Sequence, residues 1–421
     1  MFRIFYRKTV VLNRDAFSFK NACIVVSNHP STLTDPLHVA NKTAPQLFFL
    51  ANAGLFESKI GGWFFNTFYC IPVERPKDVQ GRRIQNDDAF KRCDEHLSKN
   101  GSLYIAPQGF SKMVRRLSNP VKTGTARIAL SAESKNDFNL GLTILPVGLT
   151  YTNSTEFRSG IVINTGSHIK VANYKSIYLE DPVKAVKQLT KDLEDHLRTL
   201  ILDTEDEEEE LLLERMEAIL DSKNPLPLKE HFLRTKKLIT PLHQLKEEAP
   251  AAYQKLSRQT TQHFAELDQA TVSVKSVFQQ MNSVKNTLFL ILGFPFFAYG
   301  WVNNFLANFI PAFITKKVNT YAGYDSTIKL MSGLFTYPIF YGLQIFLVHR
   351  FCGNLWITLA YVISLPVLGL LAWAYRKYFI KVRKWNRWEK VKKESPEKGQ
   401  LILDTQTELA AELNRLLLST H

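Results

Sequence analysis

The chain has 421 residues, 45% of them apolar, four cysteines and a formal net charge of +14. That length argues against a single small core and for at least two regions. Cys23, Cys70, Cys93 and Cys352 lack metal-binding spacing and suit a reducing, cytosolic setting. The basic excess leaves three partner classes open: nucleic acid, an anionic membrane surface, or phosphorylated and CoA-bearing small molecules.

The opening residues Met1-Phe2-Arg3-Ile4-Phe5-Tyr6-Arg7-Lys8 are too broken by charge to read as a signal peptide. From there to about Thr199 short β-branched runs alternate with helical stretches. Candidate strands are Ala22–Ser27, Gln46–Leu50, Gly101–Ile105, Leu142–Leu149 and Ile161–Asn164, and the alternation predicts an α/β domain over residues 1–200. Cys23 and Cys70 sit in apolar contexts that suit buried free thiols.

After the first of these strands comes Asn28-His29-Pro30-Ser31-Thr32-Leu33-Thr34-Asp35-Pro36. His29 would stand at the carboxyl edge of the sheet, where α/β proteins place sites. Thr34-Asp35-Pro36 reads as a helix start, with Asp35 as N-cap and Pro36 in the first turn. A histidine and a carboxylate can together take a proton off an alcohol. Six positions would put the two about 240° apart on a regular helix, so they meet only if the chain bends between them. Taken alone, the stretch reads first as a loop histidine and a helix cap.

Four later stretches add to it. Tyr69-Cys70-Ile71-Pro72-Val73-Glu74-Arg75 is an apolar run ending in an arginine, whose planar fork matches phosphate oxygens. Leu103-Tyr104-Ile105-Ala106-Pro107-Gln108-Gly109-Phe110-Ser111 is a strand running into a turn. Val121-Lys122-Thr123-Gly124 opens a helix, and backbone N–H groups beside a lysine form an anion site. Ile144-Leu145-Pro146-Val147-Gly148 is a further apolar strand.

Asp181-Pro182 then starts a helix carrying Val183, Val186, Leu189, Leu193, Leu197 and Leu200 at helical spacing. The acidic run Asp203–Glu210 reads as a solvated face or helix start. Residues 201–285 read as a helical connector. Three apolar segments follow in residues 286–380, at 287–313, 330–348 and 355–375. The second and third are long enough to span a bilayer as a hairpin, since ~20 helical residues suffice. Arg376, Lys377, Lys381, Arg383, Lys384, Arg387 and Lys390 mark the cytosolic end of the third. The first, interrupted by Gly293, Pro295, Gly300 and Pro311 and flanked by lysines at both ends, is expected to re-enter, or to lie partly in the interface, rather than cross. Residues 381–421 form a basic, helical cytosolic tail.

The Asn-His-Pro stretch with Asp35, the strand ending in Arg75, the Ala-Pro-Gln-Gly turn and the Ile-Leu-Pro-Val-Gly strand resemble, in order, the blocks of the glycerolipid acyltransferase family. The resemblance is to a bacterial and yeast-related branch with a membrane-embedded C-terminal part. It implies a mixed sheet flanked by helices, and an enzyme moving an acyl group from acyl-CoA or acyl carrier protein to glycerol 3-phosphate or 1-acylglycerol 3-phosphate. It implies His29 as general base, Asp35 as its orienter, and Arg75, Gln108, Gly109 and Lys122 at the acceptor. Arg115 and Arg116 stand nearby in sequence.

No metal or prosthetic group is implied, and membrane lipids rather than nucleic acid are the expected partners. The catalytic domain is expected on the cytosolic face, in a bacterial inner membrane. Two departures from the family pattern stand out: five residues rather than four separate His29 from Asp35, and Gln108 occupies a glutamate position. Two other readings therefore stay open: a different acceptor, such as an amino-lipid or long-chain alcohol, or a catalytically weak, membrane-anchored lipid-binding scaffold.

Overall fold

The computed structural model describes residues 2–75, 85–117, 120–318 and 321–418. They form two compact units, Met1–Thr204 together with Tyr321–Thr327, and Glu205–Thr320 together with Ile328–His421.

The first unit is built on an eight-stranded sheet: β1 (Tyr6–Leu12), β2 (Cys23–Ser27), β3 (Leu47–Asn52), β4 (Cys70–Val73), β5 (Ser102–Ile105), β6 (Thr143–Tyr151), β7 (Ser159–Thr165) and β8 (Ile169–Lys170). The strand order is β1-β7-β6-β2-β5-β3-β4, with β8 added to β6. The five strands from β6 to β4 run parallel, while β7 and β8 are antiparallel to β6. The sheet is therefore mixed, as the family resemblance implies. Strand β2 lies between β5 and β6 and is buried along its whole length, which explains its unbroken Ile24-Val25-Val26 run.

The helices of this unit are α1 (Phe2–Phe5), α2 (Thr34–Ala40), α3 (Lys59–Thr67), α4 (Asp87–Ser98), α5 (Gly124–Ser134), α6 (Lys175–Glu180) and α7 (Pro182–Leu200). Leu97 of α4, Ile128 and Leu130 of α5, and Leu189, Leu193 and Leu197 of α7 share one core with Ile24, Val26, Leu103 and Ile144 of the sheet. Asp181 caps α7 by accepting from the N–H groups of Val183 and Lys184 at 2.8 and 3.1 Å. Val183 itself is exposed, so the buried stripe starts at Ala185. Three thiols are buried here, and burial pushes Cys23 and Cys93 up to about 12 and Cys70 up to about 11.

The second unit is helical: α8 (Glu207–Lys223), α9 (Leu228–Glu248), α10 (Pro250–Gln269), α11 (Val274–Val277), α12 (Ser283–Val318), α13 (Asp325–Cys352, from Ile328 onward), α14 (Leu355–Glu394) and α15 (Pro396–Leu418). The acidic run is the start of α8. Asp206 caps it through the Glu209 N–H, and four glutamates in the first turn oppose the helix dipole. Gln406 of α15 is fully buried and ties α8, α10 and α11 together through Ser222, His263 and the Val274 carbonyl.

Helices α12, α13 and α14 are each long and apolar enough to cross a membrane, and only 11%, 6% and 17% of their most apolar stretches are buried within the protein. Apolar helices this exposed need a lipid-like solvent.

The expected re-entrant path of 287–313 is corrected by α12, which runs without a break for 36 residues, about 54 Å. Its glycines are sites of close approach rather than breaks: a Cβ on Gly300 would lie 2.1 Å from the Leu368 carbonyl oxygen, and one on Gly293 3.1 Å from the Tyr375 ring. The first apolar helix thus packs antiparallel along the third, tied further by Tyr378 to Asn286 at 2.7 Å. The expected pairing of second and third persists near their turn, where Tyr361 meets Gln344 and His349 meets Thr358.

His231 of α9 sits between Asp221 and Glu217, at 3.1 and 3.4 Å, with Arg234 also on Asp221. Hydrogen bonds to Asp221 and Glu217 raise its pKa to about 9 from 6.5. A raised folded-state value means that this contribution is complete below pH 6.5 and fades as pH climbs through about 9. The unfolding-temperature difference between wild type and His231→Gln is therefore expected to shrink from pH 6 to pH 9.5; a constant difference would contradict the charged assignment.

Candidate active site

The site is built at the carboxyl end of β2. Asn28 extends that strand with its side chain. Its Nδ2 donates to the Leu149 carbonyl at 2.9 Å, and its Oδ1 accepts the Leu149 N–H at 2.7 Å. An amide here mimics one more rung of the ladder between β2 and β6, and so fixes where the following histidine leaves the sheet.

The bend that brings His29 to Asp35 is made at Thr32, whose φ of 43° is left-handed, an unusual choice for a β-branched residue. Across it, His29 Nδ1 lies 2.8 Å from Asp35 Oδ2. Asp35 is fully buried, and the same Oδ2 accepts the Ser31 N–H at 2.7 Å, while Oδ1 accepts the Tyr151 hydroxyl at 2.7 Å. The N-cap role expected for Asp35 is thus corrected. Helix α2 begins at Thr34 with Leu33 before it, and the carboxylate turns back to the preceding loop instead of to its own helix.

Tyr151 is raised well above an ordinary phenol by burial first and by the Asp35 charge next, so it stays protonated and keeps donating. Tyr104, hydrogen-bonded to Ser27 at 2.7 Å, is pushed up by the same two causes. With Nδ1 held by a carboxylate, the tautomer that donates to Asp35 leaves Nε2 of His29 as the basic nitrogen, on a side chain 19% exposed.

The turn after β5 lies against this bend. Gln108 is buried, and its Oε1 accepts the His29 N–H at 3.2 Å, while the Lys112 N–H donates to the His29 carbonyl at 3.1 Å. The next residue, Gly109, takes a φ of 76°, and a Cβ on it would come within 2.8 Å of Lys122 Nζ. The Gly109 carbonyl accepts from Arg75 Nη1 at 3.4 Å. Arg75, Gly109 and Lys122 line a cleft of about 590 Å³ that also takes in Arg127 and the α5 start at Gly124, with Leu50 and Ile105 among its apolar walls. Four of the six candidate residues, His29, Asp35, Gln108 and Gly109, are therefore linked directly or through adjacent backbone, and Arg75 and Lys122 join them at Gly109. Gln108 serves the histidine's backbone and is not part of the cleft wall; Arg115 and Arg116 also lie outside that wall.

The sequence reading did not single out Tyr151, Tyr104 or Ser31. Tyr151 ends β6, 116 residues from Asp35, and nothing in its local pattern distinguishes it from any inward-facing strand tyrosine.

Residues 8–150 match the family model described as acyltransferase. Two curated relatives are similar to the chain. Glycerol-3-phosphate O-acyltransferase 1 of Saccharomyces cerevisiae is 26% identical over 153 residues, 35% of this chain and 20% of that protein. The 1-acyl-sn-glycerol-3-phosphate acyltransferase of Streptococcus pneumoniae is 29% identical over 160 residues, 37% of this chain and 52% of that protein. The chain thus matches a fifth of one relative's length and about half of the other's. Among solved structures it is similar to the 1-acyl-sn-glycerophosphate acyltransferase PlsC of Thermotoga maritima, with a TM-score of 0.33 and 16% identity over 46% of this chain and 72% of that one.

Replacing Asn28 by alanine strands the Leu149 N–H and carbonyl in the core, at roughly 1–3 kcal/mol for each unpaired group. A clear drop in unfolding temperature is expected for Asn28→Ala in detergent, together with lost activity; an unchanged temperature would contradict the rung assignment.

Proposed function

We propose that the chain is a membrane-associated O-acyltransferase that moves a fatty acyl group from a thioester, acyl-CoA or acyl carrier protein, to a hydroxyl of glycerol 3-phosphate or 1-acylglycerol 3-phosphate. The observation that carries this reading is the 2.8 Å His29–Asp35 contact, made through Nδ1 so that Nε2 is the nitrogen facing an acceptor. Nε2 takes the proton of the acceptor hydroxyl as its oxygen attacks the thioester carbonyl. Asp35 holds the ring in the required tautomer and stabilises the imidazolium that forms. When the C–S bond breaks, the imidazolium returns the proton to the leaving thiolate. The reaction needs no metal or prosthetic group.

Arg75 and Lys122 supply the positive charge for an acceptor phosphate, and the names of the two curated relatives support a glycerophosphate acceptor. The apolar helices supply contact with the bilayer, where the acylated product resides. The basic residues after the third apolar helix support a cytosolic catalytic face, and a bacterial inner membrane is the setting we favour. Gln108 presents an oxygen to the His29 N–H, a task a glutamate would share, so its replacement of glutamate is compatible with activity.

The test is acyl transfer by the purified full-length protein in mixed micelles, with labelled acyl-CoA or acyl carrier protein offered against each acceptor in turn. His29→Ala is expected to lower turnover by roughly 10²–10⁴-fold. Arg75→Gln is expected to raise the acceptor KM by about 10–100-fold, the equivalent of a lost charge-assisted hydrogen bond. Gln108→Glu should stay within about threefold of wild type, since the backbone hydrogen bond is kept. Equal turnover by wild type and His29→Ala on every acceptor would overturn the reading.

A further inference from the structure

The segment Tyr321–Thr327, which follows α12 and includes the first turn of α13, belongs to the α/β unit. It meets that unit at the bend between His29 and Asp35. Ser326 Oγ lies 3.0 Å from Ser31 Oγ, and Thr327 Oγ1 lies 2.7 Å from Thr32 Oγ1. The Thr32 hydroxyl is also 3.4 Å from the Gly323 carbonyl, and the Tyr321 hydroxyl accepts the Met113 N–H from the adjoining turn. Ser31 and Ser326 are both fully buried.

Ser31 and Thr32 carry the geometry of the site. Ser31 gives its N–H to Asp35, and Thr32 holds the left-handed φ that turns the chain back on itself. A non-glycine residue in that region costs on the order of 1–3 kcal/mol and persists only where its surroundings over-determine it. The Ser111 hydroxyl, which accepts the Thr32 N–H at 3.1 Å, is one such support. Thr34 Oγ1 donates to the Ser31 carbonyl at 2.7 Å, while the hydroxyls of Ser31 and Thr32 themselves meet side chains 295 positions away.

We propose that Ser326 and Thr327 are positioning residues for acyl transfer: their hydroxyls clasp Ser31 and Thr32 and hold the strained bend that aims His29 at Asp35. This rests on the reading of His29 as general base. It implies that the catalytic centre is not complete within Met1–Thr204. The segment Tyr321–Thr327, remote in sequence but part of the same compact unit, is part of its support. Neither hydroxyl touches the acceptor cleft, which separates this role from substrate binding.

The experiment uses the full chain in mixed micelles and has two readouts. For Ser326→Ala with Thr327→Val, kcat is expected to fall by roughly 10–100-fold, the effect of a small misplacement of a reacting group. The acceptor KM should hold within about twofold, because the cleft is untouched. The conservative pair Ser326→Thr with Thr327→Ser should restore most of kcat. Hydrogen exchange of the peptide covering residues 28–36, read by mass spectrometry, should quicken by about tenfold or more in the Ala/Val variant as the bend loosens.

Wild-type kcat together with unchanged exchange would overturn the clasp. A fall expressed mainly in KM would also overturn it. If the Ala/Val variant fails to fold, Thr327→Val alone carries the same expectations at smaller size. Should the wild-type protein transfer no acyl group at all, the functional reading fails while the exchange measurement still decides whether Ser326 and Thr327 hold the bend.

Discussion

A carboxylate with no exposed surface sets the geometry of the α/β unit. Burying Asp35 is tolerable only because three donors converge on it, the Ser31 N–H, the His29 ring and the Tyr151 hydroxyl. Each donor comes from a different place: a loop, the end of the β2 extension, and the last residue of β6. Satisfying the carboxylate therefore fixes the loop path, the start of α2 and the approach of β6 at once. Asn28 reinforces the same junction from the other side through Leu149. The phenols around Asp35 are held protonated by burial and by its charge, so the donors that support it do not titrate away near neutrality.

From that junction the candidate chemistry extends in one direction only, along the turn after β5. Gln108 holds the histidine's backbone and Gly109 lies against Arg75 and Lys122 of the cleft, so two consecutive residues connect the base to the anion-binding side. The left-handed Gly109 makes this possible, since a side chain there would collide with Lys122. The helical unit answers a different constraint. Its three long apolar helices are held to one another by close glycine contacts and by uncharged hydrogen bonds such as Tyr341 to Asn304 and Tyr361 to Asn303, with most of their apolar surface left for lipid.

Much of this is legible in the residues. A strand buried on both faces announces itself in Ile24-Val25-Val26, and the Asp181-Pro182 helix start is read from two residues. What local reading misses has a common cause: the deciding partner is remote. Asp35 looks like an N-cap because Asp-Pro commonly is one, and only Tyr151 and the bend at Thr32 redirect it. Gly293, Gly300, Pro295 and Pro311 look like breaks in a helix. Leu368 and Tyr375 of a partner helix show that the glycines are there for close packing. Strand β1, which carries Arg7 and Lys8, is not among the candidate strands, yet it pairs with β7, some 150 positions away. The serine and threonine of the 321–327 segment carry no motif at all.

The central claim is that Asp35 works by orienting and charge-balancing His29, so the direct test is Asp35→Asn in the full-length protein. Asparagine keeps the shape but presents an amide where three donors meet. The account predicts a fall in turnover of roughly 10³–10⁴-fold on whichever acceptor the wild type uses, with substrate affinity little changed. An Asp35→Asn protein that folds and turns over within about threefold of wild type would contradict it, because a histidine without its orienter should not retain the required tautomer.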